Sequence, residues 1–240
     1  MDLSVVIPVR NEAPNVAPLV GEIAAALGGG IDYEIVYVDD GSSDGTVAEI
    51  EKLQRNNPAL RLVRHRARAG QSAAIRSGVR AARADWIATL DGDGQNDPAD
   101  IPRLWAMARA ANDSRLLIAG QRAKRRDSAV KRASSRIANG VRGRLLGDDT
   151  PDTGCGLKLF PRALYLDLPF FDHQHRFLPA LVLREGGRVV SVPVNHRPRE
   201  RGASNYGTLD RLWVGIVDLA GVMWLKRRAG RATVRDADAP

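Results

Sequence analysis

The chain predicts an α/β fold: a mostly parallel, doubly wound sheet flanked by helices. Short β-branched apolar runs alternate with stretches whose apolar residues recur at helical spacing, the pattern of βαβ units. Glycine and proline mark most of the joins. Polar clusters also follow the strand-like runs, at Arg10-Asn11-Glu12, Asp39-Asp40 and Asp91-Gly92-Asp93. Ligands in such sheets bind beyond the carboxyl ends of the strands. Polar tips repeated along one edge therefore point to a site.

Leu3 to Val9 is the first buried strand, with Pro8 near its end. The helix from Asn15 to Leu27 buries Val16, Leu19, Val20, Ile23 and Leu27, and Gly28-Gly29-Gly30 stops it. Tyr33 to Val38 is the second strand, and the turn 41–45 leads to a helix over Thr46 to Arg55. Leu60 to Arg64 is the third strand, followed by a helix from Gly70 through Arg83 that buries Ala74, Ile75, Gly78 and Val79. Trp86 to Leu90 is the fourth. Asp97 as N-cap and Pro98 in the first turn then start a helix to about Ala111. Leu116 to Ala119 is a strand, Asp152 to Phe160 a loop entering a strand, and Arg188 to Val194 a further strand. Phe177, Leu178, Leu181 and Val182 are core residues of a segment that shapes a pocket. His196 to Tyr206 is a loop rich in Arg, suited to closing over an anion.

The 240 residues carry a net charge of +8, with a pI near 10.2, so anionic partners are favoured. Nucleic acid is disfavoured: no aromatic residue lies between Trp105 and Phe160, where a binder would interleave stacking groups with its basic run. Most of the cations from Gly120 to Arg144 read as a solvated helix face, with a phosphate role reserved chiefly for Arg122. The single cysteine, Cys155, excludes an internal disulfide and reads as a small packed residue. The first residues show no basic n-region, and no signal peptide is expected.

Chemistry concentrates in Thr89-Leu90-Asp91-Gly92-Asp93-Gly94-Gln95. Two carboxylates at the end of a buried strand are costly without a cation beside them. Hard divalent ions such as Mg²⁺ or Mn²⁺ take oxygen ligands and bridge to substrate phosphates. The bland alternative is an Asp-Gly turn with no metal. The first strand is followed by Pro8-Val9-Arg10-Asn11-Glu12 and lacks the glycines of a dinucleotide fingerprint; a P-loop is absent too.

Leu209 to Leu225 is apolar but interrupted by Asp210, Arg211 and Asp218, so no spanning helix is expected. Leu212, Trp213, Ile216, Leu219, Ala220, Met223 and Trp224 fall on one helical face, followed by Lys226-Arg227-Arg228. Such a helix suits a membrane interface, or equally packs on the domain or in a dimer. Residues 229–240 read as a disordered tail.

Taken in order, these motifs resemble family-two glycosyltransferases of the GT-A fold, in the branch of dolichol-phosphate mannosyltransferases and polyprenyl-phosphate glycosyltransferases. The matching residues are Val5-Val6-Ile7-Pro8 with Asn11-Glu12, Val38 to Thr46, Asp91-Gly92-Asp93 with Gln95 and Pro98, Gly120 with Arg122, Asp152-Thr153-Gly154, and Arg199-x-x-Gly202-x-Ser204. The resemblance implies a Rossmann-like mixed sheet over residues 1–207, with the apolar helix 208–228 and the tail 229–240 appended. It implies that Pro8, Glu12 and Asp40, with Asp91, hold the nucleotide, and that Asp91, Asp93 and Gln95 hold Mg²⁺ or Mn²⁺ and the diphosphate. Arg122 would face a donor or acceptor phosphate. Lys131 and Ser135 align with an acceptor-phosphate Arg-x-x-x-Ser, the lysine being a departure. Arg199 would clamp the diphosphate, with Ser204 supporting its loop.

The implied reaction is an inverting transfer from GDP-mannose or a UDP-sugar to polyprenyl phosphate at the inner face of the cytoplasmic membrane. The alternatives are a transferase acting on a sugar hydroxyl in envelope polysaccharide synthesis, or a non-catalytic nucleotide-sugar-binding module. A hydroxyl acceptor would require Asp172 as base. Homo-oligomer formation, the sugar and the base stay open.

Overall fold

The computed structural model describes residues 1–122, 140, 142–198 and 209–230, the side chains of 209–213 excepted. Its strands are β1 (Leu3–Val9), β2 (Tyr33–Asp39), β3 (Leu60–Arg64), β4 (Trp86–Thr89), β5 (Leu116–Arg122), β6 (Lys158–Pro161) and β7 (Arg188–Val194). They form one sheet in the order β3-β2-β1-β4-β6-β5-β7. Every neighbouring pair is parallel except those of β6, which runs antiparallel to both β4 and β5. The reversal has a consequence for function. It brings the start of β6, where Lys158 pairs with Thr89 and Ala119, to the edge at which the other strands end.

Among the described residues the helices include α1 (Ala13–Leu27), α2 (Thr46–Gln54), α3 (Gln71–Ala81), α4 (Ile101–Ala111), α5 (Arg162–Asp167), α6 (Leu178–Arg184) and α7 (Leu209–Arg227). β1 shows how they are sorted. Leu3, Val5 and Ile7 point to one face and join Val16, Leu19 and Ile23 of α1 and Leu104 of α4. Val6 points to the other and joins α3 and α6 through Ile75, Val79 and Leu181. This alternation is the period of two that a pleated strand imposes, with both faces buried.

α1 starts two residues before the spacing of its apolar side chains, because Pro14 fits the first helical turn. β5 runs to Arg122, beyond its apolar residues, because Gly120–Arg122 pair with Val192–Val194. α5 is one short helix that the apolar pattern does not announce.

The C-terminal helix corrects a sequence-based expectation. Val222 is 1% exposed and, with Leu219, Met223 and Leu225, packs on the α3–α6 side of the core. Arg184 Nε donates to the Leu225 carbonyl at 3.0 Å, Lys226 Nζ donates to the Leu146 carbonyl, and Asp218 meets His173 at 3.1 Å. Ile216, Val217 and Trp224 face outward, 51%, 54% and 59% exposed. The face read from spacing thus straddles two faces, one docked and one open. At roughly 100° per residue, the polar anchors Asp218 and Lys226 turn Val222 and Leu225 inward and leave Ile216 and Trp224 outside. No helix among the described residues is long and apolar enough to cross a membrane.

Candidate active site

A cavity of about 470 Å³ opens at the carboxyl edge of the sheet, beyond β1, β2, β4 and β5. Its wall includes Pro8, Glu12, Asp40, Asp91, Asp93, Gln95 and Arg122, which the sequence singled out. Lys131, Ser135, Arg199 and Ser204 lie outside the described residues.

β4 ends at Thr89, and the chain turns through Asp91 to Gln95. Gly94 takes φ +73°, which a side chain would resist. Asp93 Oδ1 accepts the Gln95 N–H at 3.1 Å and so shapes the turn. Asp91 is held by Gln71, whose Nε2 donates to Oδ1 at 2.9 Å, while its own N–H donates to Asn96 Oδ1 at 2.9 Å. Gly156 passes so close that a Cβ there would overlap the Asp91 carboxylate. Burial, and then the charge of Asp93, push the Asp91 carboxyl up to about 6, against the opposing pull of Lys158, Arg122 and Gln71. The pair fits a hard divalent cation. The donors are oxygens and the two charges repel each other. Among the described residues no third His, Cys, Asp or Glu joins them to close a metal shell. Mg²⁺ and Mn²⁺ sites that are completed by substrate phosphates have this composition.

Asp40 and Glu12 are occupied by the protein itself. Asp40 accepts the N–H groups of Ala69 and Gly70 at 2.7 and 2.9 Å, and pairs with His65 Nδ1 at 2.8 Å. Burial would raise its pKa, but these hydrogen bonds hold it below the usual carboxylate value. It fixes the loop after β3 against the cavity. Glu12 accepts from Asn15 Nδ2 at 2.7 Å, and its N–H donates to Thr46 Oγ1 at 2.9 Å, tying the start of α1 to that of α2.

Arg122 is committed as well. Its Nε and Nη2 donate to the two oxygens of Asp152 at 2.6 and 2.7 Å. Such a fork is strong and orients the guanidinium at the cavity wall. Because both partners are largely buried, Asp152→Ala strands the arginine. We expect a loss of about 3–5 kcal/mol, read as a lower urea midpoint with an unchanged slope.

Several wall residues escaped the sequence reading. Lys158 is buried at the start of β6, and its Nζ donates to the carbonyls of Thr153 and Cys155. Burial lowers its pKa, with Cys155 and Asp91 opposing. His175 Nδ1 lies 2.7 Å from Ser72 Oγ. The two histidines of this segment therefore part: His175 joins the cavity, while His173 turns to α7. Cys155 is buried as expected, and burial raises its thiol pKa. Only topology joins Ser72 to His175, so no local motif reveals the pair.

Beyond β7, Arg197 ties the entry of the following loop to the acidic turn. Its N–H donates to the Gln95 carbonyl at 2.9 Å, and its guanidinium bridges Glu22 and Asp97 at 2.8 and 2.7 Å. Gln95 Nε2 returns a bond to the Arg197 carbonyl at 3.3 Å.

Residues 4–168 match the family described as glycosyl transferase family 2. The chain belongs to glycosyl transferase family 2. It is 37% identical over 240 residues to the dodecaprenyl-phosphate galacturonate synthase of Rhizobium johnstonii, across 96% of this chain and 69% of that protein. It is 37% identical over 210 residues to the undecaprenyl-phosphate 4-deoxy-4-formamido-L-arabinose transferase of Edwardsiella ictaluri, across 86% and 63%. The chain thus spans roughly two thirds of the length of these curated relatives. The glucosyl-3-phosphoglycerate synthase of Mycobacterium tuberculosis, solved with Mn²⁺, uridine diphosphate and phosphoglyceric acid, superposes with a TM-score of 0.68 at 17% identity, across 96% of this chain and 80% of that one. At that identity the likeness is one of fold, the GT-A type.

In this glycosyltransferase the carboxylates on the described cavity wall are Glu12, Asp40, Asp91 and Asp93. Glu12 and Asp40 are engaged by protein donors, and the other two form the acidic pair. Asp172 is exposed, off that wall, and accepts its neighbour's N–H at 2.8 Å. Burial, then Lys158, Arg176 and His173, lower the His175 pKa to about 3 and keep its ring neutral.

Proposed function

We propose that this glycosyltransferase moves a sugar from a nucleotide-sugar donor to a polyprenyl phosphate in one inverting displacement. The observation that carries the reading is the lack, among the described wall residues, of a carboxylate free to act as general base. An alkyl phosphate acceptor needs none, since its second pKa is near 6. A sugar hydroxyl does need one. The named activities of both curated relatives, on dodecaprenyl and undecaprenyl phosphate, support the same acceptor class.

Within this reading Pro8, Glu12 and Asp40 bound the base and ribose. Asp91 and Asp93, with Gln95, would hold Mg²⁺ or Mn²⁺. Bound there, the ion would supply Lewis-acid stabilisation of the charge gathering on the departing diphosphate. Arg122, set by Asp152, lends positive potential to the same region. Lys131 and Ser135 are assigned to the acceptor phosphate, and Arg199 to clamping the diphosphate with Ser204 behind it. The domain of residues 1–207 rests on the inner face of the cytoplasmic membrane through the outward side of the helix 208–228.

The test is transfer of labelled sugar from UDP- and GDP-sugars to undecaprenyl phosphate, with Asp172→Asn alongside. Loss of a general base costs about 10²- to 10⁴-fold, so we expect this variant to stay within about threefold of the parent. A collapse of turnover in Asp172→Asn would move the acceptor to a sugar hydroxyl.

A further inference from the structure

Arg176 lines the cavity, and its guanidinium has no partner among the described residues. Arg10, Arg68, Arg122 and Lys158 line it as well. Arg122 is spent on Asp152, and Lys158 is spent on two carbonyls. A half-buried guanidinium is a strong bidentate donor left open, and its natural complement is a planar or tetrahedral oxyanion.

Its neighbour sharpens the point. Ser72 Oγ accepts the His175 backbone N–H at 3.2 Å and lies 2.7 Å from His175 Nδ1. In the tautomer in which Nδ1 accepts from that hydroxyl, the ring proton sits on Nε2. The ring stays neutral across the working pH range. In that tautomer the turn offers an uncharged N–H beside a charged fork, in a cavity also lined by the apolar side chains of Ala74, Ile75 and Leu178. A neutral donor adds a hydrogen bond without a second buried charge to desolvate.

We propose that Arg176 and His175 form a subsite for a second oxyanion of the substrates, apart from the diphosphate. It is either a carboxylate on the transferred sugar or the phosphate of the acceptor. The inference rests on the transferase reading above, since the cavity must first hold a nucleotide sugar.

The experiment is calorimetric titration of the parent, Arg176→Gln and Arg176→Lys with Mn²⁺ present. The probes are UDP and GDP, their hexose and hexuronic acid derivatives, and geranyl phosphate, with melting temperatures recorded in parallel. Arg176→Gln should bind the nucleoside diphosphate as the parent does. It should weaken one anion about 10- to 100-fold, the loss expected for a charged bidentate contact, with Lys restoring part. Selective loss for the hexuronic acid over the hexose derivative assigns the sugar carboxylate. Loss for geranyl phosphate assigns the acceptor. Unchanged affinity for both, or equal loss for the bare diphosphate, overturns the subsite. If the parent binds neither nucleoside diphosphate, the transferase reading itself fails.

Discussion

Asp91→Asn is expected to lower kcat by about 10²- to 10³-fold, the scale of a removed charge-stabilising group, and yet to raise the melting temperature of the metal-free protein at pH 8. Both effects come from one carboxyl. Burial and the neighbouring Asp93 hold its folded pKa at about 6, above the ordinary aspartate value. A raised carboxyl pKa stabilises the fold only while the group is protonated. The contribution is full below the unfolded pKa and is lost as pH rises through about 6. At pH 8 the charged Asp91 therefore costs the metal-free fold at most about 2–3 kcal/mol, and asparagine removes that cost while still accepting from Gln71. Calorimetry in EDTA should show the variant melting higher at pH 8, with the gap closing by about pH 4. Added Mn²⁺ should reverse the order, because only the parent gains a ligand to its native state. If the variant melts lower at pH 8 in EDTA, Asp91 is holding the fold rather than waiting for a cation.

That site was partly legible in the sequence because the residues around it obey local rules. β1 and β2 are buried on both faces and read as mostly apolar runs, broken by Ser4 and Pro8 in one and Glu34 in the other, so their polar ends stand out. Asp91 and Asp93 are visible as charges where a strand stops. What supports them is not visible in that way. Gln71 reaches Asp91 from the start of α3, and Gly156 and Lys158 arrive because β6 runs against its neighbours. A four-residue strand that begins with a buried lysine carries no sign of its direction. The Asp152–Arg122 pair illustrates the same limit. Each residue sits in a motif of its own, but their partnership is set by a sheet edge that joins positions 30 apart. Arg176 and His175 lie in the segment read as shaping a pocket, and only the fold shows which of its two histidines faces the cavity.

Replacing both Ile216 and Trp224 by Asp is expected to release the protein from anionic liposomes without lowering its melting temperature. These side chains lie on the outward side of α7, and the docked side is held separately by Val222, by Asp218 on His173 and by Lys226 on the Leu146 carbonyl. Each large apolar side chain that enters an acyl boundary contributes about 1.5–3 kcal/mol. Losing two, and adding two negative charges, should weaken partition by at least about 10²-fold. Lys226 is already engaged, so the salt-dependent share of binding falls to the exposed Arg227 and Arg228, at about 1 kcal/mol each. Deleting residues 208–240 would be a poorer test, because it also uncovers the core surface beneath Val222 and mixes loss of stability with loss of binding. Val222→Asp supplies the converse: it should lower the melting temperature by undocking the helix, since it buries a charge without a partner. Co-sedimentation of the Ile216→Asp, Trp224→Asp protein with vesicles at parent levels would mean that α7 turns its open face to something other than lipid.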